Sequence, residues 1–303
     1  MTGSITAPKK LAKFAANVNN AGLTAICASS LAMFGLPVMW VAGILLSFYA
    51  LEKSTSNFIA VFFAAVIPSI IAFFVLDNDL SWQIFWQIFS FLSILGLLSY
   101  LLRATSSWSV VLQAVGILGP CLIILIYILY PDIDAWWLER LNSFFANAEV
   151  EQTELDLALY SKYATGIQAI ILYSAALFNL AVARYWQACL YSKKKKARSD
   201  FLQVKISSLT VFFMLLLALA YVLDFAWGLD AFIVSLIPCF CVGTAVVHIL
   251  CEKNIRKKNR IFFLITFYMM NLIAFPFVPL VIIVLGLADY VFGLRDHFGL
   301  VYK

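Results

Sequence analysis

The stretch of residues 244–260, TAVVHILCEKNIRKKNR, passes within a few residues from an apolar run to a dense group of basic side chains. It contains His248, the only histidine inside an apolar run. A second basic group occupies residues 193–198, two apolar segments earlier in the chain. Membrane proteins concentrate lysine and arginine in loops on the cytoplasmic side. The two basic groups therefore predict on which side of a membrane every other loop lies.

Composition indicates a membrane protein. The chain has 303 residues, of which 64% are hydrophobic and 12% charged, and its mean hydropathy is +0.95. Soluble domains have about 45–50% apolar and about 25% charged residues, so lipid is the predicted surrounding and partner. The net charge of +5 comes from clustered loops, which argues against nucleic acid as a partner. Six cysteines, mostly inside apolar runs, predict buried thiols and no metal site.

Two long apolar runs contain proline near their middle. The run 21–51 has Pro37, and the run 261–292 has Pro276 and Pro279. The 31 residues of the first run would span about 46 Å as one helix, whereas the hydrocarbon core of a bilayer is about 30 Å thick. Proline also breaks helical hydrogen bonding. Each run therefore predicts two short helices, with one long kinked helix as the alternative.

Six further apolar segments between these runs predict transmembrane helices. They are residues 57–75, 80–102, 108–130, 164–190, 206–226 and 230–251. The predicted fold class is all-α, a polytopic transmembrane helix bundle with roughly eight to ten crossings and several short or proline-broken helices. A basic cytoplasmic N-terminus, residues 1–20, precedes a single membrane domain, residues 21–303.

Charge predicts the topology. The basic loops 191–205 and 252–260 are expected in the cytoplasm, and the acidic loop 131–162 outside. This arrangement requires an even number of crossings, and it places both termini in the cytoplasm.

The outer loop contains a predicted amphipathic helix over residues 132–145. One face of that helix carries Trp136, Trp137, Leu141, Phe144 and Phe145, and the polar residues off that face are Asp132, Asp134, Glu139 and Arg140. This pattern is typical of a helix that lies flat in the membrane interface. A lid over a ligand is the alternative.

Polar side chains at membrane depth are the candidate ligand-binding groups, because they are costly to bury there. Arg184 and His248 lie near the cytoplasmic ends of their segments, at matching depth. If their helices are neighbours, a guanidinium and an imidazole would together favour a carboxylate or a phosphate. Alternatively, Arg184 extends to the lipid headgroups and His248 is capped by Glu252. The remaining predicted ligand-binding residues are Trp186, Gln187 and Tyr191.

The other polar positions are expected to be structural. Asp224 and Asp230 flank an outer turn and are predicted to be solvated. Asn179 and Asn271 lie deeper, where a single amide usually bonds between helices. No hydrolase elbow, phosphate-binding loop or metalloprotease motif occurs. The sequence therefore predicts no catalytic residue and no cofactor, and a protein that is not an enzyme.

Three segments in the second half of the chain form a recognisable pattern. They are residues 183–191 (ARYWQACLY) followed by Phe201 and Lys205, residues 243–248 (GTAVVH), and residues 285–289 (LGLAD) with Phe292 and Arg295. This pattern resembles the YybS-like family of bacterial membrane proteins of unknown function, over residues 160–296. Where members of that family have a loop containing Pro-Gly, this chain has Ser192 and four lysines. The resemblance implies a multi-pass protein of the bacterial inner membrane.

Two functions follow as hypotheses. The first is a transport-related protein that binds a small or anionic solute between its helices, where proline-broken helices expose backbone groups. The second is a non-transporting scaffold whose basic loops recruit cytoplasmic partners or anionic lipid.

Overall fold

The computed structural model describes residues 13–14, 16–32, 39–52, 55–76, 79–147, 157–191 and 200–297. All regular structure within those ranges is helical, which confirms the predicted all-α class. The helices are α1 (Val18–Ala32), α2 (Met39–Leu51), α3 (Thr55–Leu76), α4 (Asp79–Thr105), α5 (Trp108–Leu129), α6 (Ile133–Asn147), α7 (Leu157–Leu190), α8 (Ser208–Val222), α9 (Gly228–Ser235), α10 (Ile237–Asn254), α11 (Arg260–Ile273), α12 (Phe277–Phe292) and α13 (Leu294–His297).

The chain divides into two compact units. The first comprises Met1–Val111 and Leu172–Phe201, and the second comprises Leu112–Ile171 and Leu202–Lys303. Helices α5 and α7 each contribute to both units. The predicted single membrane domain stays a prediction.

Four of the described helical stretches are long and apolar enough to cross a membrane. They are Phe85–Thr105, Trp108–Leu129, Leu157–Leu190 and Gly228–Asn254. The α11–α12 pair adds a fifth if it counts as one span. Helices α2 and α8 and the first part of α3 are apolar but shorter. These helices indicate a membrane protein, whereas the predicted eight to ten crossings are not confirmed.

In the first unit, three of the described helices pack around α2. Helix α1 packs against α2 and α3, and α2 packs against α4. The large side chains Phe48 of α2 and Leu92 and Leu95 of α4 are fully buried between them. The run 21–51 thus forms two separate helices, as expected, although Pro37 between them lies outside the described residues.

Several predicted features fall on residues that the structure does not describe. These are residues 1–12 of the basic N-terminus, residues 148–156 of the outer loop and residues 192–199 of the first basic loop. The topology assigned to them stays a prediction.

In the described part of the second unit, the most extensive helix contact joins α10 and α12. A Cβ on Gly243 would lie 2.0 Å from the Ile282 carbonyl oxygen, and a Cβ on Gly286 would lie 2.0 Å from the Cys239 carbonyl oxygen. Each pair of residues is spaced by four along its helix, so both contacts belong to one antiparallel register. Backbone therefore lies directly against backbone, and α12 is held at a fixed position along α10.

Helices α11 and α12 confirm the predicted break in the run 261–292. They are bent by 116°, and Pro276 directly precedes α12. No residue of α11 is buried, and Leu272 and Ile273 at its end are 75% and 73% exposed. An apolar helix of this kind requires lipid or a protein partner around it.

Helix α6 forms where an amphipathic helix was predicted, but its protein-facing side differs from the predicted apolar face. Trp137 is half-buried, and its Nε1 donates to Thr165 Oγ1 on α7 at 2.9 Å. Asp134, which was expected on the polar face, is half-buried and bonds to a tyrosine of α5. Trp136 and Phe144 stay exposed. The placement of α6 in the membrane interface stays a prediction.

The deep amides bond within their own helices, and not between helices as predicted. The Nδ2 of Asn179 donates to the Ala175 carbonyl oxygen, and that of Asn271 to the Phe267 carbonyl oxygen, both at 2.8 Å. In each case the acceptor lies four residues earlier, so the amide nitrogen donates within its own helix.

Candidate functional site

Two of the predicted site residues, Arg184 and Gln187, meet at the C-terminal end of α2. The Arg184 guanidinium donates to Gln187 Oε1 at 2.5 Å, and Gln187 Nε2 donates to the Leu51 carbonyl oxygen at 3.1 Å. Arg103 similarly donates to the Ala50 carbonyl oxygen at 3.2 Å. The last carbonyl groups of a helix have no partner inside it. These side chains therefore cap α2 and join it to α4 and α7.

Two acidic side chains balance the charge of this cluster. The Asp200 carboxylate lies 3.7 Å from the Arg184 guanidinium. The Tyr191 hydroxyl donates to the Glu52 carboxylate, and this hydrogen bond raises the pKa of the Tyr191 hydroxyl. Trp186 is half-buried on the same helix. Because a carboxylate already faces Arg184, the geometry here favours a structural cluster over an anion site.

His248, the other predicted site residue, lies in the second unit on α10. Its Nε2 is 2.7 Å from the Tyr268 hydroxyl oxygen on α11. The two rings are tilted, with their centroids 5.9 Å apart. The sequence did not indicate this partner. Arg184 belongs to the first unit, so a site shared by Arg184 and His248 stays a prediction.

A cavity of about 440 Å³ lies in the second unit. Ligand pockets for small molecules typically have about 300–1,000 Å³, so its size suits a small solute. Val242 and Ile249 of α10 contribute apolar side chains to its wall. The polar residues of its wall are Gln203, Lys205, Asp289, Tyr290, Arg295 and Asp296.

One side of the cavity is built on a buried ion pair. Arg295 donates to Asp289 Oδ2 from Nε at 3.0 Å and from a terminal nitrogen at 2.7 Å. Its terminal nitrogens also donate to the carbonyl oxygens of Leu202 at 2.7 Å and of Val204 at 2.6 Å. Gly293, with φ 59°, makes the left-handed turn that brings Arg295 back to Asp289. This network holds the segment before α8 against the end of α12.

The other charged groups of the wall are exposed. Lys205 Nζ lies 3.9 Å from Asp296 Oδ2, and the two side chains are 70% and 65% exposed. Together with the buried pair, they give the wall two cations and two carboxylates. The cavity is therefore close to neutral overall, and Lys205 is its exposed cation.

The predicted solvation of Asp230 is wrong. The residue is 1% exposed, and the Tyr127 hydroxyl lies 3.0 Å from its Oδ2. The same hydroxyl lies 3.1 Å from Asp134 Oδ1. The sequence shows only that Asp230 stands two residues after the start of an apolar helix, and that Tyr127 stands near the end of an earlier apolar segment. The sequence does not show that tertiary packing covers the acid.

Comparison with known proteins finds no match: no protein-family model, no curated protein and no solved structure matches this chain. The resemblance to the YybS-like family stays a prediction. In the part of the chain that the structure describes, the fold is all-helical and has four or five candidate membrane spans. Within the described residues, no group of three or more His, Cys, Asp or Glu side chains could hold a metal ion.

Proposed function

We propose that the chain is a transport-related integral membrane protein that binds a small solute with an acidic group in the cavity of its second unit. The observation that carries this proposal is the composition of the cavity wall. The wall combines the exposed cation Lys205 with apolar side chains of α10. Solute sites commonly join a mostly apolar wall with a few polar groups that fix orientation.

The ligand class follows from the donors that the wall offers. Arg295 uses four of its five N–H donors on Asp289 and on two backbone carbonyls. The Lys205 side chain is 70% exposed, and its ammonium lies 3.9 Å from Asp296 Oδ2, so its charge is accessible to a ligand that enters the cavity. A carboxylate or phosphate at Lys205 would form shorter, charge-assisted hydrogen bonds in place of that contact.

The orientation that we propose opens this cavity to the cytoplasm. Ile249 in its wall stands near the end of α10 that leads into the basic loop 252–260. Basic loops of bacterial inner-membrane proteins lie in the cytoplasm. This orientation is consistent with an inner-membrane protein that has both termini in the cytoplasm and exchanges its solute on that side.

The test is ligand-dependent thermal unfolding of the full chain purified in lipid nanodiscs. The compounds are monocarboxylates, dicarboxylates, amino acids and phosphate monoesters. A ligand at 100 times its Kd stabilises the folded protein by about 2.7 kcal/mol, so a binder raises the Tm in a concentration-dependent way. We expect Lys205→Gln to lose this response. Lys162→Gln is the matched control, because Lys162 is exposed on α7 and is not part of the wall.

Two results would contradict the proposal. One is that none of the four compound classes stabilises the wild-type protein. The other is that Lys205→Gln and Lys162→Gln respond to the binder equally, because Lys205 would then not hold the acidic group.

The scaffold function is the second candidate, supported by the described basic loop between α10 and α11. Lys253, Arg256, Lys257 and Lys258 are exposed there. Arg260 instead donates to the Ile255 carbonyl oxygen at 2.9 Å and so fixes the base of the loop. Four exposed cations next to an apolar helix favour anionic lipid, at about 1 kcal/mol for each cation.

Native mass spectrometry in detergent tests the scaffold candidate. Replacing the four exposed cations of the loop by glutamine should remove co-purifying anionic lipid and leave the response to solutes unchanged. If the variant retains as much anionic lipid as the wild type, the loop does not recruit lipid.

A further inference from the structure

A buried acid in the second unit lies outside the solute cavity. Asp230 stands in the first turn of α9, and Tyr127 faces it from α5, with Asp134 of α6 on the far side of the tyrosine hydroxyl. Helix α7 presents its backbone at Gly166, where a Cβ would lie 2.6 Å from Asp230 Oδ1. Helix α8 meets α9 at Gly228, through backbone atoms. Tyr127 and Asp134 are thus the titratable groups that face Asp230 from the elements around it.

The environment of this acid offers little to stabilise a charge. Among the described residues, neither Asp230 nor Asp134 forms an ion pair with a basic side chain. Asp230 Oδ1 lies against the Gly166 backbone, and among the described residues it has no well-formed hydrogen bond. The start of α9 provides only a partial positive charge from its dipole. A carboxylate buried in this way is strongly disfavoured unless it is paired or protonated.

The hydrogen count at Tyr127 leads to the same conclusion. A tyrosine hydroxyl has one proton to donate, yet its oxygen lies 3.0 Å from one carboxyl oxygen and 3.1 Å from another. If both carboxyl groups were ionised, one of these contacts would bring lone pairs together without a proton. A single additional proton removes this conflict. With that proton on Asp230, its O–H donates to Tyr127, and Tyr127 donates to Asp134.

The three groups also form a path from the surface to the interior. Asp134 is half-buried at the protein surface, whereas Tyr127 and Asp230 are buried. The Trp137–Thr165 hydrogen bond holds α6 against α7 one residue before Gly166. The surface carboxyl group is therefore kept at hydrogen-bond distance from the tyrosine.

We propose that Asp134, Tyr127 and Asp230 form a proton-uptake site, which delivers one proton from solvent at Asp134 to the buried Asp230 carboxylate. In the step, the Asp134 carboxylate takes a proton from a hydronium ion and passes it to the Tyr127 oxygen. Tyr127 simultaneously gives its own proton to Asp230 Oδ2. Tyr127 ends with one proton, Asp134 is again a carboxylate, and Asp230 becomes a neutral acid.

The test is infrared spectroscopy of the full chain in lipid nanodiscs, with carbon-13 in the carboxyl group of every aspartate. At about pH 7, exposed aspartates are ionised, so a protonated-carboxyl band reports a buried acid. We expect this band in the wild type and its loss in Asp230→Asn, whose amide can still bond to Tyr127. The matched control is Asp224→Asn, which removes an exposed carboxyl group at φ 60°, a backbone conformation that asparagine tolerates.

A second measurement tests the path and does not depend on the folding of Asp230→Asn. After transfer to heavy water, the band shifts as the acid exchanges its proton. We expect Tyr127→Phe and Asp134→Asn to keep the band but to slow this exchange about tenfold or more. Tyr160→Phe, at an exposed position on α7, should exchange like the wild type.

Each result bears on the proposal. A wild-type protein without the band, or a band that persists in Asp230→Asn, would refute the protonated acid. Exchange at the wild-type rate in both Tyr127→Phe and Asp134→Asn would refute the path through these residues.

Discussion

The contact between α10 and α12 allows a quantitative prediction for Gly243→Ala. The added Cβ would lie 2.0 Å from the Ile282 carbonyl oxygen, and it would also meet the Ile282 carbonyl carbon at 2.9 Å. Both atoms belong to the backbone and cannot rotate away. Because Cβ contacts under 3.0 Å essentially never occur in proteins, α12 has to move by at least 3.0 − 2.0 = 1.0 Å.

The cost of this movement can be estimated. A gap of about 0.5–1 Å removes a quarter to a half of the dispersion energy of the separated atoms. Overpacking of this kind typically costs about 1–3 kcal/mol. Because the displacement affects the whole contact between α10 and α12, we expect a cost at the upper end of that range. Alanine is better than glycine in a helix by about 1 kcal/mol, which offsets part of the cost. We therefore expect a net loss of about 2 kcal/mol in the free energy of unfolding.

Gly22→Ala is the matched control for this variant. Gly22 is also inside a helix, but the nearest atom to its added Cβ is the Ala64 Cβ at 4.0 Å, an ordinary contact. We expect this variant to be as stable as the wild type or about 1 kcal/mol more stable. The assay is chemical or thermal unfolding of the purified variants in the same detergent.

The double variant tests the shared register. Gly286→Ala places a Cβ 2.0 Å from the Cys239 carbonyl oxygen, and the same displacement of α12 relieves both clashes. The loss in Gly243→Ala/Gly286→Ala should therefore be smaller than the sum of the single losses. If Gly243→Ala is as stable as Gly22→Ala, the close backbone contact does not exist and the reasoning fails.

Three further predictions concern the charged groups. Arg295→Met should lower the free energy of unfolding by about 3–5 kcal/mol, because it leaves a buried carboxylate unpaired. The measurement is unfolding in detergent. If the free energies of unfolding of the variant and the wild type differ by less than about 1 kcal/mol, the ion pair does not stabilise the fold. Arg184→Gln should leave the ligand-induced stabilisation unchanged, because the Asp200 carboxylate already lies 3.7 Å from the Arg184 guanidinium; loss of the response in this variant would show that Arg184 binds the ligand. Reporter fusions in the loop 131–162 should show the outer side and fusions in the loop 252–260 the cytoplasm, whereas the opposite result would invert the topology.

The sequence predicted features that depend on local chemistry. The break in the last apolar run follows from Pro276, whose effect on a helix does not depend on its surroundings. The spacing of three residues between Arg184 and Gln187 allows their contact on one helix, although the sequence pattern predicted ligand binding for both and not a cap of α2. The helix α6 follows from its amphipathic pattern, since the spacing of apolar side chains is a local property.

Features that depend on contacts between distant helices could not be predicted. The burial of Asp230 requires Tyr127, 103 residues earlier in the chain, and the close approach of α7 at Gly166. The cavity of the second unit likewise depends on Arg295 reaching the carbonyl oxygen of Leu202, 93 residues away. A single sequence contains no signal for such pairings, because each residue alone fits several environments.

The two proposed sites of the second unit lie toward opposite ends of one helical path. Gly228–Asn254 has 27 residues, about 40 Å as a helix, with Asp230 in its first turn and Ile249 of the cavity wall near its end. That length exceeds the hydrocarbon thickness of about 30 Å, so one membrane-spanning stretch contacts both sites.

If protonation of Asp230 changes solute affinity, then solute binding must change the proton affinity of Asp230 by the same factor. We therefore expect the rise in Tm caused by the solute to depend on pH in the wild type. In Asp230→Asn, the same rise should be independent of pH. An equal pH dependence in both proteins would show that the two sites act independently.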